Sequence, residues 1–407
     1  MDAALGTDST PRCQDDAILA PLGEHAVVSE LQSLAYRRMI PLNVSLELTL
    51  KCNIRCLHCY NFDRDTDGPA CGSGQETAAT AAPELSREEI FRVMGELRAA
   101  GTLFLSLTGG EVLSSPHLFP VLDRARELNL AVQMLSNGTL LRPGVAARLA
   151  SYRNLLGVSI SVYGATPEAH DEITQIRGSW RRTLDGAERL RAQGVAVRLK
   201  LIVMRPNVHE VGAMRALCDA RGFPYLLDLT VTARHDGTQG SLAMRITEAE
   251  LAALYQGPLR DLIPSGSRAV DEAAFPCNCA RGNAAISARG DVFPCVSVPW
   301  TAGNVRRQSF GEIWRGSPVF ERIRGLKIAD YPTCAPCPDK SFCSRDRGAA
   351  YNASGSYTGI DPFVCAAAGV ARAVGERRSV EEAQPTAEQR APAAPDVRLP
   401  LAVAGAR

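Results

Sequence analysis

The stretch that most constrains this chain is Ser45–Tyr60, SLELTLKCNIRCLHCY. From Ser45 to Lys51 polar and apolar residues alternate, the period of a β-strand with one buried face. The strand runs straight into Cys52, Cys56 and Cys59, a Cys-x3-Cys-x2-Cys loop. Four cysteines would close a cubic iron–sulfur cluster, whereas three leave one iron with an open coordination position. On these residues alone, buried structural thiols and a zinc site with His58 as fourth ligand stay open as alternatives.

Beyond the loop, helix and strand alternate. Helical patterns cover Leu85–Ala100, with Ser86 as N-cap, Pro116–Leu128, Gly144–Ser151, Trp180–Ala192 and Val208–Arg221. Apolar strand patterns cover Leu103–Leu107, Ala131–Leu135, Leu156–Val162, Val195–Val203 and Tyr225–Val231. Six successive β–α units imply an α/β fold with a parallel sheet, curved into a full or partial barrel. Function in such folds sits at the carboxyl ends of the strands. Thr108-Gly109-Gly110-Glu111 follows the second strand, where glycines admit close backbone approach and Glu111 offers an acceptor for an ammonium group. Ser136-Asn137-Gly138-Thr139 ends the third strand, and Ser159–Gly164 forms the fourth. Such hydroxyl and amide groups can bond a ribose or carboxylate, and equally serve as turn and cap formers.

A second cysteine field begins near Ala274. Cys277 and Cys279 precede an expected hairpin, Ala284–Ala288 and Val292–Val296 about Arg289-Gly290-Asp291, with Cys295 at its end. Cys334, Cys337, Cys343 and Cys365 follow. Taken alone, the Cys-x2-Cys pair suits a zinc ribbon as well as an iron–sulfur cluster.

Together the two patterns resemble a known family over roughly residues 44 to 370. Cys-x3-Cys-x2-Cys after a first strand resembles the signature of the radical S-adenosylmethionine (SAM) enzymes. Cys279, Gly290-x4-Cys295, Cys334-x2-Cys337-x5-Cys343 and Cys365 resemble a SPASM domain, the auxiliary-cluster module of radical SAM enzymes that modify peptides and proteins. The resemblance implies a lead-in (1–43), a partial (β/α)6 barrel core (44–235), a connecting helical segment (236–273), a small SPASM-like domain (274–371) and a disordered tail (372–407). It further implies a [4Fe-4S] cluster on Cys52, Cys56 and Cys59 whose open iron is chelated by SAM. Gly109, Gly110 and Glu111 would hold the SAM amino group, Ser136, Asn137 and Ser161 its sugar and carboxylate, and Arg177 its carboxylate. His170, in the same stretch as Arg177, reads as structural. One or two auxiliary clusters would sit on Cys334, Cys337, Cys343 and Cys365, and on Cys279 and Cys295 with Cys277. Two positions depart from the pattern: Val112 stands where a proline is usual, and Arg347 where a further cysteine would reach back to the first auxiliary cluster.

The activity so implied is reductive cleavage of SAM to a 5′-deoxyadenosyl radical, which abstracts hydrogen from a ribosomally made peptide to form a crosslink or other oxidative change. Maturation of a protein active-site residue, as in sulfatase activation, and modification of a tetrapyrrole or other small metabolite are alternatives within the same chemistry. A zinc- or iron–sulfur-binding scaffold or electron-transfer protein without SAM cleavage is the alternative from another class; Gly109–Glu111 and the β–α units oppose it. Expected partners are a precursor peptide, a small peptide-recognition protein in trans and a reductant such as flavodoxin or ferredoxin.

Composition narrows the setting. The 407 residues carry a net charge of +1 and are 45% hydrophobic, which gives no reason to expect nucleic acid or an anionic membrane as partner. No apolar run is long enough to span a bilayer and no signal peptide is evident, so a cytoplasmic protein is expected. Its 13 cysteines then point to metal or redox chemistry rather than disulfides, with Cys13, Cys71 and Cys218 as ordinary thiols. A short helix is expected over Val28–Arg37, a Gly/Ala/Thr/Asp-rich insert over Asp63–Pro83, and a tail from about Glu376.

Overall fold

The structure, a computed structural model, describes residues 26–61, 83–234, 238–266, 269–274, 277–298 and 300–383. The expected insert (apart from Pro83), Cys13, Cys71 and residues 384–407 of the tail lie outside them. In chain order the regular elements begin α1 (Ala26–Arg38), β1 (Asn43–Glu47), α2 (Arg87–Ala99), β2 (Phe104–Thr108), α3 (Leu118–Glu127), β3 (Ala131–Ser136) and α4 (Pro143–Ala150). They continue with β4 (Leu155–Val162), α5 (Pro167–Thr174), α6 (Ser179–Ala192), β5 (Val197–Ile202), α7 (Val211–Arg221), β6 (Tyr225–Asp228) and α8 (Glu248–Gln256). The C-terminal part contributes β7 (Asn283–Ile286), β8 (Asp291–Phe293), β9 (Gly303–Asn304), α9 (Phe310–Gly316), α10 (Pro318–Gly325), α11 (Arg347–Ser354) and α12 (Pro362–Ala383).

Alternation along the strands sends apolar side chains to one face and polar ones to the other. Val44, Leu46, Leu105, Leu107, Ile160 and Leu199 join helix residues such as Met94, Leu122 and Leu190 in one core. The opposite face carries Ser45, Ser106, Gln133, Ser159 and Arg198. A parallel sheet covered by apolar layers on both sides would read as continuous apolar runs, so this alternation marks a polar interior. β1 to β6 pair in parallel in sequence order. One cavity of about 320 Å³ takes wall residues from all six, among them Ser45, Thr108, Ser136, Ser161, Lys200 and Asp228. A sheet that surrounds one cavity from its first strand to its sixth is curved: this is the partial (β/α)6 barrel.

Three features differ from the sequence reading. First, the C-terminal hairpin is not set apart: β7 pairs in parallel with β1, in the register Asn43↔Asn283, and β8 and β9 continue antiparallel. The result is one nine-stranded sheet in the order β6-β5-β4-β3-β2-β1-β7-β8-β9. Second, α5 was not anticipated, although Thr166 caps it by accepting from the Ala169 amide and Pro167 occupies its first turn. Third, α12 runs to Ala383, past the expected start of the tail. Its Ala, Glu and Arg content, which resembles a low-complexity tail, also favours helix. Ala371 and Val374 pack on Ile263, and the Arg378 guanidinium donates to the Arg260 carbonyl at 2.8 Å. No helix among the described residues is long and apolar enough to cross a membrane.

Candidate active site

The Cys52–Cys59 loop is pinned at the mouth of the barrel by its backbone. Amides of Arg55 and Leu57 donate to the Thr174 and Ile173 carbonyls, at 2.9 and 3.1 Å. Those carbonyls belong to the last turn of α5, which has no helical partners for them. The Cys59 amide closes a turn onto the Cys56 carbonyl at 3.1 Å. Asn137 holds the other flank: its Nδ2 donates to Asn53 Oδ1 at 3.0 Å and lies 3.9 Å from Cys52 Sγ. All three cysteines are partly exposed and line the cavity.

Gly109 and Gly110 make their close approach to the residues that lead into this loop, Thr49 to Lys51. The Gly110 amide donates to the Thr49 carbonyl at 2.8 Å and the Glu111 amide to the Lys51 carbonyl at 2.9 Å. Gly109 has φ +127°, and a Cβ there would stand 2.3 Å from the Thr49 oxygen; one on Gly110 would stand 2.4 Å from the Lys51 oxygen. Both glycines also line the cavity, with Ser136, Asn137 and Ser161.

Glu111 lies behind the cavity wall. It is 1% exposed and is not among the residues that line the cavity. Oε1 accepts from the Ser136 hydroxyl at 2.8 Å and the Leu113 amide at 3.1 Å, and Oε2 accepts from the Asn137 amide at 2.7 Å. Burial raises its pKa against the opposing effect of these three donors. The carboxylate thereby locks the β2 turn to the end of β3. Val112 simply begins a short 3-10 turn behind it.

The segment after β4 is likewise structural. His170 Nδ1 accepts from the Tyr163 amide at 3.1 Å, and burial pushes its pKa down to about 4. Asp171 caps α6 by accepting from Ser179 Oγ and the Trp180 amide, both at 2.8 Å. Arg177 is exposed and is not part of the cavity wall, so the structure does not bring it to the other expected SAM contacts. His58 stands half-buried in the cavity wall beside Tyr163, with ring centroids 4.9 Å apart. Its Nδ1 has no hydrogen-bond partner, and burial, assisted by Lys200, pushes its pKa down to about 4.

The cavity reaches the second cysteine field. Cys277, Cys279 and Cys295, all buried, share its wall with Asp346 and Arg347. Cys277 Sγ lies 3.6 Å from the Tyr357 hydroxyl. Cys295 stands just beyond β8, whose turn is made by Gly290 at φ +91°. Cys334, Cys337, Cys343 and Cys365 form another group: burial pushes the Cys365 thiol up to about 11, and Cys343, Cys334 and Cys337 are near enough to add to it. The Arg345 amide donates to Cys343 Sγ at 3.3 Å. Among the described residues no three His, Cys, Asp or Glu side chains stand close enough to hold a single metal ion.

The Radical SAM superfamily pattern matches residues 46–217, and the SPASM iron–sulfur cluster-binding domain matches residues 277–338. The chain belongs to the radical SAM superfamily and carries a SPASM domain. It is 27% identical over 79% of its length to the AdoMet-dependent heme synthase of Methanosarcina barkeri, covering 96% of that protein. It is also 27% identical over 74% of its length to the mycofactocin maturase MftC of Mycobacterium ulcerans, covering 82% of it. In fold it is similar to Streptococcus suis SuiB bound to precursor peptide SuiA, with a TM-score of 0.59 at 16% identity, covering 83% of this chain and 80% of that one. As a radical SAM–SPASM enzyme its cofactors are SAM and iron–sulfur clusters.

The residues present fit those cofactors. Three thiols of one pinned loop line the barrel's polar interior, and further buried thiols line the SPASM side of the same cavity. Sequence reasoning missed Arg198, Lys200 and Asp228, which complete the wall; Lys200 and Asp228 form an ion pair of 3.0 Å. The available signal was charge inside Val197-Arg198-Leu199-Lys200-Leu201, since a cationic residue at every second place of a central parallel strand needs a polar interior.

Proposed function

We propose that this radical SAM–SPASM enzyme makes a crosslink or other oxidative change in a ribosomally synthesised peptide. The observation that carries the reading is the single cavity of about 320 Å³ running from Cys52, Cys56 and Cys59 to Cys277, Cys279 and Cys295. A substrate side chain there would meet both cysteine sets at once. When bound, the SAM-binding cluster and SAM supply one-electron reduction and a carbon-centred radical that removes a substrate hydrogen.

The chain's own residues do the rest. Cys52, Cys56 and Cys59 hold the SAM-binding cluster; the Gly109–Gly110 backbone with Ser136, Asn137 and Ser161 seats SAM; Glu111 keeps that turn in place. Cys334, Cys337, Cys343 and Cys365 hold one auxiliary cluster, and Cys277, Cys279 and Cys295 give three thiolates for another. Lys200, Asp228 and Arg198 orient polar substrate groups, and the barrel walls exclude water. A peptide-recognition protein in trans and a flavodoxin or ferredoxin complete the proposed partners. The maturase relative MftC supports the peptide reading. Tetrapyrrole modification is the second reading, favoured by similarity along nearly all of a heme synthase.

The test is anaerobic incubation with SAM, dithionite and a short peptide encoded beside the gene, followed by mass spectrometry. Loss of hydrogen from the peptide together with 5′-deoxyadenosine is expected. An unmodified peptide alongside a modified porphyrinoid in a parallel incubation would replace the first reading with the second.

A further inference from the structure

One buried cation separates the two SPASM cysteine groups. Arg347, the first residue of α11, is 5% exposed and stands where the sequence resemblance to a SPASM domain calls for a cysteine. Its Nε donates to the Arg345 carbonyl at 3.1 Å, and its Nη2 lies 4.0 Å from Cys334 Sγ. Its Cζ stands 4.6 Å from the Tyr331 ring centroid. Nη1 is buried with no hydrogen-bond partner. The adjacent carboxylate, Asp346, is turned to the Ala349 amide at 2.9 Å as the cap of α11. A guanidinium taken out of water with no facing anion is costly, so this one needs negative charge nearby. Thiolates bound to an iron–sulfur cluster would supply the missing anion, with sulfur as acceptor.

We infer that Arg347 is the built-in counter-charge of the auxiliary cluster on Cys334, Cys337, Cys343 and Cys365, and that it raises the reduction potential of that cluster. The inference rests on the reading that those four cysteines hold a cluster. Potentials of iron–sulfur clusters follow net charge, hydrogen bonds to sulfur and solvent exposure. Exchanging a thiolate for a guanidinium changes the local charge in the direction that favours the reduced, more negative form. Arg347 acts here through the cluster, as a tuning residue.

The experiment is a potentiometric titration followed by paramagnetic resonance on the full-length chain, loaded anaerobically with iron and sulfide. The Cys52→Ala, Cys56→Ala and Cys59→Ala background removes the signal of the SAM-binding cluster. Arg347→Gln is expected to keep its auxiliary iron and titrate at a more negative midpoint, and Arg347→Lys to stay near the parent value. Should the glutamine variant shed iron, a loaded lysine variant near the parent midpoint still supports the charge role. An unmoved midpoint in a fully loaded glutamine variant overturns the inference. So does iron loss in both variants, which would make Arg347 a packing residue. A parent protein that binds no auxiliary iron would instead refute the cluster reading underneath.

Discussion

The two cysteine regions are built in opposite ways. The first is a short loop whose backbone is held on every side: by the open end of α5, by the Gly109–Gly110 turn and by Asn137. The second gathers residues distant in sequence, from Cys277 to Cys365, onto turns and helix ends. What joins it is side-chain charge, such as Arg347 beside Cys334 and Arg245 on Asp361 at 2.6 Å. The first region therefore depends on backbone geometry, which few residue types satisfy, whereas the second depends on which side chains fill the space between its thiols. A family pattern survives in the first with one changed turn residue, and in the second with a cysteine exchanged for an arginine.

Substitutions that attack backbone geometry should break the first region hardest. Gly110→Ala places a methyl group 2.4 Å from the Lys51 oxygen and 2.6 Å from that of Leu50. Strain of about 1–3 kcal/mol is expected, concentrated at the cysteine loop. Most of the SAM-binding cluster should be lost while auxiliary iron stays, as read by iron analysis and paramagnetic resonance.

Glu111→Gln comes next. An amide can replace one carboxylate oxygen but turns a donor toward Ser136 or Asn137, leaving a buried donor unmet at about 1–3 kcal/mol. Thermal stability should fall, and SAM affinity with it through a displaced Asn137. Weakened SAM binding at unchanged stability would return the carboxylate to the cavity.

A third prediction concerns Glu47, in the seam where β1 meets β7. Burial pushes its pKa from 4.5 up to about 7, against the Ala288 amide, which donates to its Oε2 at 3.4 Å, and the Asn61 side chain. Because the folded state binds this proton more tightly than the unfolded chain, stability falls as pH rises from about 4.5 to 7 and is level beyond. The change is about 3 kcal/mol by the linkage relation. Glu47→Gln should flatten that part of the pH–stability profile measured by thermal unfolding; a profile as steep as the parent's would remove Glu47 as its source.

The smallest effect is expected for Arg177→Ala. An exposed side chain away from the cavity should leave stability within about 0.5 kcal/mol and SAM affinity unchanged by titration.

These cases also show what the sequence made legible. The alternating run at Ser45–Lys51, the three-cysteine loop and the β–α succession were enough for the parallel barrel and for the cavity mouth. Gly109 and Gly110 were readable as close-approach positions, although what they approach is the backbone of Thr49 to Lys51 leading into the cysteine loop. The directions of Glu111 and Arg177 were not legible, because a carboxylate or guanidinium near a strand end turns according to whether a partner such as the Asn137 amide is already there. Continuity of β7 with β1 was not legible, since edge pairing over so long a sequence separation leaves no local pattern. Helix α12 was hidden by a composition shared with low-complexity tails, its tertiary partners being far away at Arg260 and Ile263.

The central claim is that the two regions hold separate iron–sulfur sites and that only the first cleaves SAM. The most direct measurement compares the parent chain with the Cys52→Ala, Cys56→Ala, Cys59→Ala variant, both loaded anaerobically, for iron, sulfide and 5′-deoxyadenosine formed under dithionite. The account predicts that the variant forms no 5′-deoxyadenosine and keeps the auxiliary part of its iron and sulfide. Formation of 5′-deoxyadenosine by the variant, or loss of all its iron, would contradict it.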